Sequence, residues 1–375
     1  MELTIEQPAL LKALGRVKGA TAQNAPISIA SPVLLTVDAT CLTMRATDLD
    51  IQTVDIASCT VARPGEITTS ALELYKLAYN LPVDAYITLC QPPTTSDGLE
   101  IVCGPARYIL PSSPVRTFAF MPGADDPLPW AFTLPAHELL ALWDKTAFAM
   151  LKRKNDPRYY LRGVYLGVVP DDNVLHTVAL DGFCLACFER PIPAGAEAMP
   201  SVLVPAAAVN ELRKALKHVS DVVRVSLSSK YIKFAFERTC LTARLIEDMY
   251  PNYMRFIRLD GRNILEVKRR DLAKAVKHVM PPRQQDAARG VGFDLEKNGV
   301  TVTGSGVDGK LVGARVSGAF GGAPLQIGVS GSYISNILKC IDGDTVQIAF
   351  GGANDPLTVQ AVGNPSPLYV LMPLR

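Results

Sequence analysis

The sequence predicts an α+β fold assembled from three copies of one domain, and three observations point to it. A strand-then-helix pattern recurs six times in the same order. The runs between the helices alternate in hydropathy, as half-buried antiparallel strands do. A chain of 375 residues, 48% hydrophobic and 20% charged, is globular and too long for one ordinary hydrophobic core.

Taken in order, Leu3-Thr4-Ile5 leads to Leu10-Leu11-Lys12-Ala13-Leu14, Phe132-Thr133-Leu134 to Leu139-Leu140-Ala141-Leu142, and Leu265-Glu266-Val267 to Leu272-Ala273-Lys274-Ala275-Val276. Each reads as a short alternating strand, a polar break, then a helix with apolar residues three and four apart. A second unit follows in each copy. These are Ile67–Ser70 with a helix over Leu72–Asn80, Val202–Pro205 with a helix over Val209–His218, and Leu325–Gly328 with a helix over Tyr333–Cys340. Ser70 and Ser332 suit helix N-caps. Between the helices, Val222–Leu227, Tyr231–Phe236 and Val300–Thr303 read as antiparallel strands. Polar joints at Asp125–Pro129 and Leu259–Asn263 set domain boundaries of 1–131, 132–258 and 259–375.

Composition narrows the compartment and the partners. No apolar run is long enough to span a bilayer, and Met1–Glu6 lacks the basic start of a secretory signal, so a cytoplasmic protein with no membrane partner is expected. The eight cysteines sit mostly among apolar residues and read as small core side chains rather than a disulfide framework. The net charge of +2 is unevenly divided, with 1–131 acidic and the rest basic. Only a protein whose cations share one face could surround DNA with so weak a total.

Each candidate for chemistry has a plainer reading. His137, His176, His218 and His278 form no metal-binding spacing and read as surface histidines. Cys184 and Cys187 have the CxxC spacing, but no second pair completes a zinc site, and three apart in a strand they point to opposite faces. Gly304–Gly309 matches GxGxxG, yet a strand-like run follows where a helix would have to open, so it reads as a hairpin turn. Asp48, Asp50 and Asp55 lack the spacing of a calcium loop and read as a solvated strand edge. The expectation is no enzyme, no cofactor and no metal.

Cations recur on the six units: Lys12, Arg16 and Lys18; Lys76; Lys145, Lys152, Arg153 and Lys154; Arg213, Lys214 and Lys217; Lys268, Arg269, Arg270, Lys274 and Lys277; Lys339. On one wall they would neutralise phosphates without reading bases.

Four short motifs then carry a resemblance that covers the whole chain. Asp156–Gly163 (DPRYYLRG), Val178–Gly182 (VALDG), Met249–Tyr253 (MYPNY) and Tyr369–Arg375 (YVLMPLR) are similar to segments of the bacterial DNA polymerase III β subunit, the sliding-clamp family. The resemblance implies a head-to-tail homodimer: a closed ring with sheets outside and two helices per domain lining a central channel, each chain forming half. It implies a processivity factor that encircles duplex DNA without sequence preference. DNA polymerase and clamp-loader subunits would then dock through short linear peptides.

Carried over by motif, the peptide groove comprises Leu161, Leu180, Gly182, Phe183, Leu185, Pro251, Arg255, Phe256, Tyr333, Val370, Met372, Pro373, Leu374 and Arg375. The DNA-facing set is Lys12, Arg16, Lys152, Lys154, Arg158, Tyr159, Tyr160, Arg213, Lys217 and Lys274. Arg107, Tyr108 and Leu110 would face Val279 and Met280 across the dimer interface. The chain departs from the family pattern at Leu180, Phe183 and Cys184, which makes a more apolar groove, and at Asn24, Ala206, Ala207, Pro281 and Pro282. These departures fit a divergent or secondary clamp, and leave as a rival a clamp-fold scaffold with little DNA loading.

Overall fold

The computed structural model describes residues 1–21, 32–91, 98–124, 126–153, 155–169, 171–257, 261–280, 290–305 and 311–374. Asn24, Asp125, Lys154, Leu259, Asp260, Pro281, Pro282, residues 306–310 of the glycine-rich run and Arg375 lie outside them.

Six helices carry the repeat: α1 (Gln7–Val17), α2 (Ala71–Asn80), α3 (Ala136–Asp144), α4 (Ala206–Leu216), α5 (Arg269–Val279) and α6 (Gly331–Cys340). Each follows a strand directly: Glu2–Glu6, Gly65–Ser70, Trp130–Pro135, Val202–Pro205, Asn263–Lys268 and Leu325–Ser330. The expected polar break is therefore absent, because the strand's last residue doubles as the helix cap. Ser70 shows how: its backbone is extended and its side chain accepts from Glu73 N. At α6 the cap position is Ser330 rather than Ser332, which lies inside the first turn and exchanges a hydroxyl contact with Ser330. α4 ends at Leu216, so His218 is beyond the helix, and Lys145, Lys152 and Arg153 lie past the end of α3.

The chain divides into two compact units, each holding one antiparallel sheet. The first comprises 1–140, 193–200 and 207–245 around a thirteen-stranded sheet. The second comprises 141–192, 201–206 and 246–375 around a twelve-stranded sheet. Strands of the middle repeat enter both sheets.

Inside each unit one repeat adds a strand to the repeat before it. Thr239–Arg244 pairs with Ile51–Ser58 in the first unit. Asn364–Leu371 pairs with Cys184–Pro191 in the second. Buried and half-buried side chains alternate along strands such as Cys41–Thr47 and Tyr231–Phe236, and the helices bury stripes such as Leu10, Ala13, Leu14 and Val17 of α1. Gly299–Ser305 pairs with Leu311–Phe320, so antiparallel strands flank the glycine-rich run. Five cysteines are only half-buried; Cys103, Cys184 and Cys187 are buried, and all eight are free thiols.

Candidate peptide-binding groove

The groove is built from a turn and an added strand. Strand Val174–Leu180 reverses into Cys184–Pro191 through Asp181, Gly182 and Phe183. The Asp181 carboxylate accepts from Phe183 N and Cys184 N, both at 2.9 Å, and Asp181 N donates to Cys184 O at 3.2 Å. Gly182 sits at φ +95°, and a Cβ there would approach Arg158 Nη1 to 3.0 Å, so conformation and space both select glycine. The other Asp181 oxygen accepts from the Tyr333 hydroxyl of α6. Burial and that carboxylate push the Tyr333 phenol well above its ordinary range, which keeps it a proton donor. On the open side Leu371 and Val370 pair with Cys184 and Leu185, and Met372 N donates to Phe183 O at 2.9 Å.

Between these elements lies a cavity of about 350 Å³ lined by Leu180, Gly182, Phe183, Cys184, Leu185, Arg255, Phe256, Pro356, Val370 and Met372. Its floor continues into a buried cluster of Leu161, Val178, Cys187 and Tyr253. The lining is apolar apart from exposed Arg255 at the rim, which suits aliphatic and aromatic anchors with one acidic group. Burial raises the Cys184 thiol well above its usual range, so it packs as an inert hydrophobe.

Of the residues expected here, Leu180, Gly182, Phe183, Leu185, Arg255, Phe256, Val370 and Met372 line one cavity. Leu161 lies beneath it, and Tyr333 acts through Asp181. Pro251 and Pro373 are half-buried and outside the lining. Leu374 crosses a neighbouring strand, its N–H bonded to Gly328 O. Pro356 was missing from the expected set, and no pattern marks it; Cys184, expected as a departure that makes the groove more apolar, lines the cavity beside Leu185.

The cations expected to face DNA fall into two groups. Lys152, Lys217 and Lys274 are exposed to solvent, while Arg213 is half-buried. Arg158 is pinned by two hydrogen bonds to Asp156, at 2.9 and 2.8 Å, which hold that carboxyl far below its usual range. Tyr159 is exposed, and Tyr160 is half-buried edge-on to it. In the first unit Arg16 is held by an intrachain network. Its guanidinium donates to Thr239 Oγ1 at 2.8 Å and pairs with Asp55 and Glu237 at 3.3 and 2.6 Å. Lys12 also reaches Glu237, at 3.2 Å.

Asp55 is no solvated edge: it is buried and accepts from Thr239 at 2.5 Å, because strand Thr239–Arg244 covers the edge it occupies. Burial raises its carboxyl. His176 is likewise no surface residue. It is 3% exposed, packed among Tyr165 and Tyr253, and burial lowers its imidazole to about 4. Among the described residues no cluster of three or more His, Cys, Asp or Glu is arranged to hold a metal ion, and no helix is long and apolar enough to cross a membrane.

For the interface set, Arg107, Tyr108 and Leu110 lie on strand Ala106–Ser113. Residues 107–110 pair with 99–102 on one side, whereas among the described residues the strand's other pairing is confined to Ser112 and Ser113. Tyr108 and Ile109 are exposed. Val279 is already core within its own chain, so Met280, half-buried, is the accessible member of that pair.

One strand–helix unit repeated six times and sheets that extend from repeat to repeat define a class: repeat-built α+β proteins, here with an apolar slot beside an added strand. The comparisons say which one. Models of the DNA polymerase III beta subunit match its N-terminal domain at 1–122, its central domain at 133–252 and its C-terminal domain at 254–375. The Beta sliding clamp of Caulobacter vibrioides is 33% identical over 377 residues, covering all of both chains. A DnaN sliding clamp from Bartonella birtlesii, solved bound to griselimycin, superposes with a TM-score of 0.92 at 30% identity, over 100% of this chain and 99% of that one. Caulobacter crescentus pol III beta gives 0.89 at 33%, over 100% of each chain. The chain belongs to the DNA polymerase III beta subunit family, the beta sliding clamps.

Proposed function

We propose that this chain is a DNA sliding clamp that closes into a head-to-tail dimeric ring around duplex DNA. It tethers polymerase and clamp-loader subunits by short peptides seated in the groove described above. The observation that carries the reading is an unfinished repetition. The last strand of the second repeat joins Ile51–Ser58, and the last strand of the third joins Cys184–Pro191. Among the described residues, the last strand of the first repeat, Ala106–Ser113, keeps an open edge over 107–110. The strand corresponding to the two acceptors is Leu311–Phe320, whose side opposite Gly299–Ser305 is paired, among the described residues, at 318–320. One open donor and one open acceptor on the same chain are completed by a second copy, and a head-to-tail contact that closes gives a ring.

The domains are 1–131, 132–258 and 259–375. Exposed Lys152, Lys217 and Lys274, with Arg158, Tyr159 and Tyr160 nearby in sequence to Lys152, supply a diffuse, sequence-blind attraction for phosphates. Action by topology calls for no catalytic residue, cofactor or metal, and it belongs in the cytoplasm with the DNA. Two measurements test this. The mass in solution should be twice 40.4 kDa. The protein should stay on nicked circular DNA and fall off once the circle is cut; a monomer, or equal retention on linear DNA, would refute the ring.

A further inference from the structure

His176, Val178 and Leu180 alternate along one strand and so share one face. Across the neighbouring strand their register partners are Glu189, Cys187 and Leu185. The two ends of this trough differ. At Leu180 and Leu185 it is the open groove. At His176 and Val178 it is filled by the segment that brings Arg255 and Phe256 to the groove's rim.

That filling is aromatic and hydrogen-bonded. The Tyr253 hydroxyl lies 3.0 Å from His176 Nδ1, and Tyr250 donates to Val178 O at 3.4 Å. Tyr165 stacks on Tyr250, ring centres 5.3 Å apart, and its edge meets His176 at 5.4 Å. Tyr253 opens the short 3₁₀ turn Tyr253–Phe256, so its placement sets Arg255 and Phe256 two and three residues on.

We propose that the His176–Tyr253 hydrogen bond is a latch beneath the groove: His176 is a positioning residue that fixes the Arg255–Phe256 wall and thereby the affinity for bound peptide. The inference rests on the peptide-groove reading. A buried hydroxyl left without its partner seeks another, and the turn it heads would move with it. With its imidazole lowered to about 4, His176 is neutral near pH 7 and can serve as the acceptor.

The test uses the full-length protein at pH 7.5 and a fluorescein-labelled octapeptide carrying leucine and phenylalanine anchors and one aspartate, read by anisotropy. His176→Leu and Tyr253→Phe should each weaken binding about ten-fold, mainly through faster release. His176→Gln, which keeps an acceptor for Tyr253, should stay within two-fold of the parent. Dimer mass and retention on circular DNA should not change in any of the three. Affinities within two-fold for all variants, or His176→Gln as weak as His176→Leu, would overturn the latch. If the parent itself binds no such peptide, it is the groove reading that fails.

Discussion

Where Thr239–Arg244 joins Ile51–Ser58, and where Asn364–Leu371 joins Cys184–Pro191, the chain builds one joint twice. In the first, Asp48 accepts from Asp50 N and Ile51 N at 3.1 and 2.8 Å, and Asp48 N donates to Ile51 O at 3.2 Å. Asp181 makes the same three bonds in the second. Arg244 N donates to Asp50 O as Met372 N does to Phe183 O. The residue after each aspartate has positive φ, +77° at Leu49 and +95° at Gly182.

From that shared frame the two diverge. Four residues into the acceptor strand the first joint has Asp55, buried and paired with Arg16, and the second has Phe188. Nine residues past the helix start, Arg16 and Lys145 correspond, but Lys145 lies over the Phe188 ring at 5.3 Å and reaches a largely exposed Asp342. At one joint the ion pair lines a charged cavity of about 520 Å³; at the other an apolar lining with a glycine at its mouth forms the groove.

If that contrast is right, Arg16→Met should do the most damage. It strands a buried carboxylate, and removing one member of a buried pair costs about 3 kcal/mol. Lys145→Met should cost roughly 1 kcal/mol, because its carboxylate partner is mostly solvated. Urea unfolding with a probe in each unit measures both, and equal losses would erase the distinction.

Acid should separate the joints by sign. The unfolded chain protonates His176 near 6.5, the folded chain near about 4, so protons favour unfolding between those values. His176's contribution is intact above pH 6.5 and lost below 4, at most about 3 kcal/mol. Asp55 works the other way. Its folded pKa is raised, so its contribution is present in acid and lost as pH rises through that value. Urea titrations at pH 7, 5.5 and 4.5 should show the second unit weakening first, and His176→Gln should flatten its slope.

Gly182→Leu should close the groove. A leucine at this φ costs roughly 1–2 kcal/mol, and its Cβ must displace the Arg158 guanidinium. Peptide binding should fall at least ten-fold by anisotropy while the dimer persists.

The repeat was legible because strand and helix follow each other directly, so the hydropathy period changes within one residue at Glu6, Ser70 or Lys268. The groove was legible where motif residues lie close in sequence. Asp55 and His176 were misread for one shared reason: each is covered by residues far along the chain, Thr239 and Tyr253, and no local pattern announces such a partner. The partners of Arg16 were hidden for the same reason, since Asp55 and Glu237 lie far from it in sequence.

Leu49→Gly is the smallest and most discriminating change. Glycine relieves the strain of a left-handed leucine, about 1 kcal/mol, and loses a comparable amount through the freer unfolded chain. Leu49 is 47% exposed, so little packing goes with it. Net stability should move by less than about 1 kcal/mol. The turn would then match Gly182 in residue type and φ, yet the strand beside it would still carry Asp55, held by Arg16 and Thr239. Calorimetric titration should therefore find one peptide per chain, as in the parent. Two per chain would mean that the glycine alone makes a groove, and that the ion pair is no barrier to a second one.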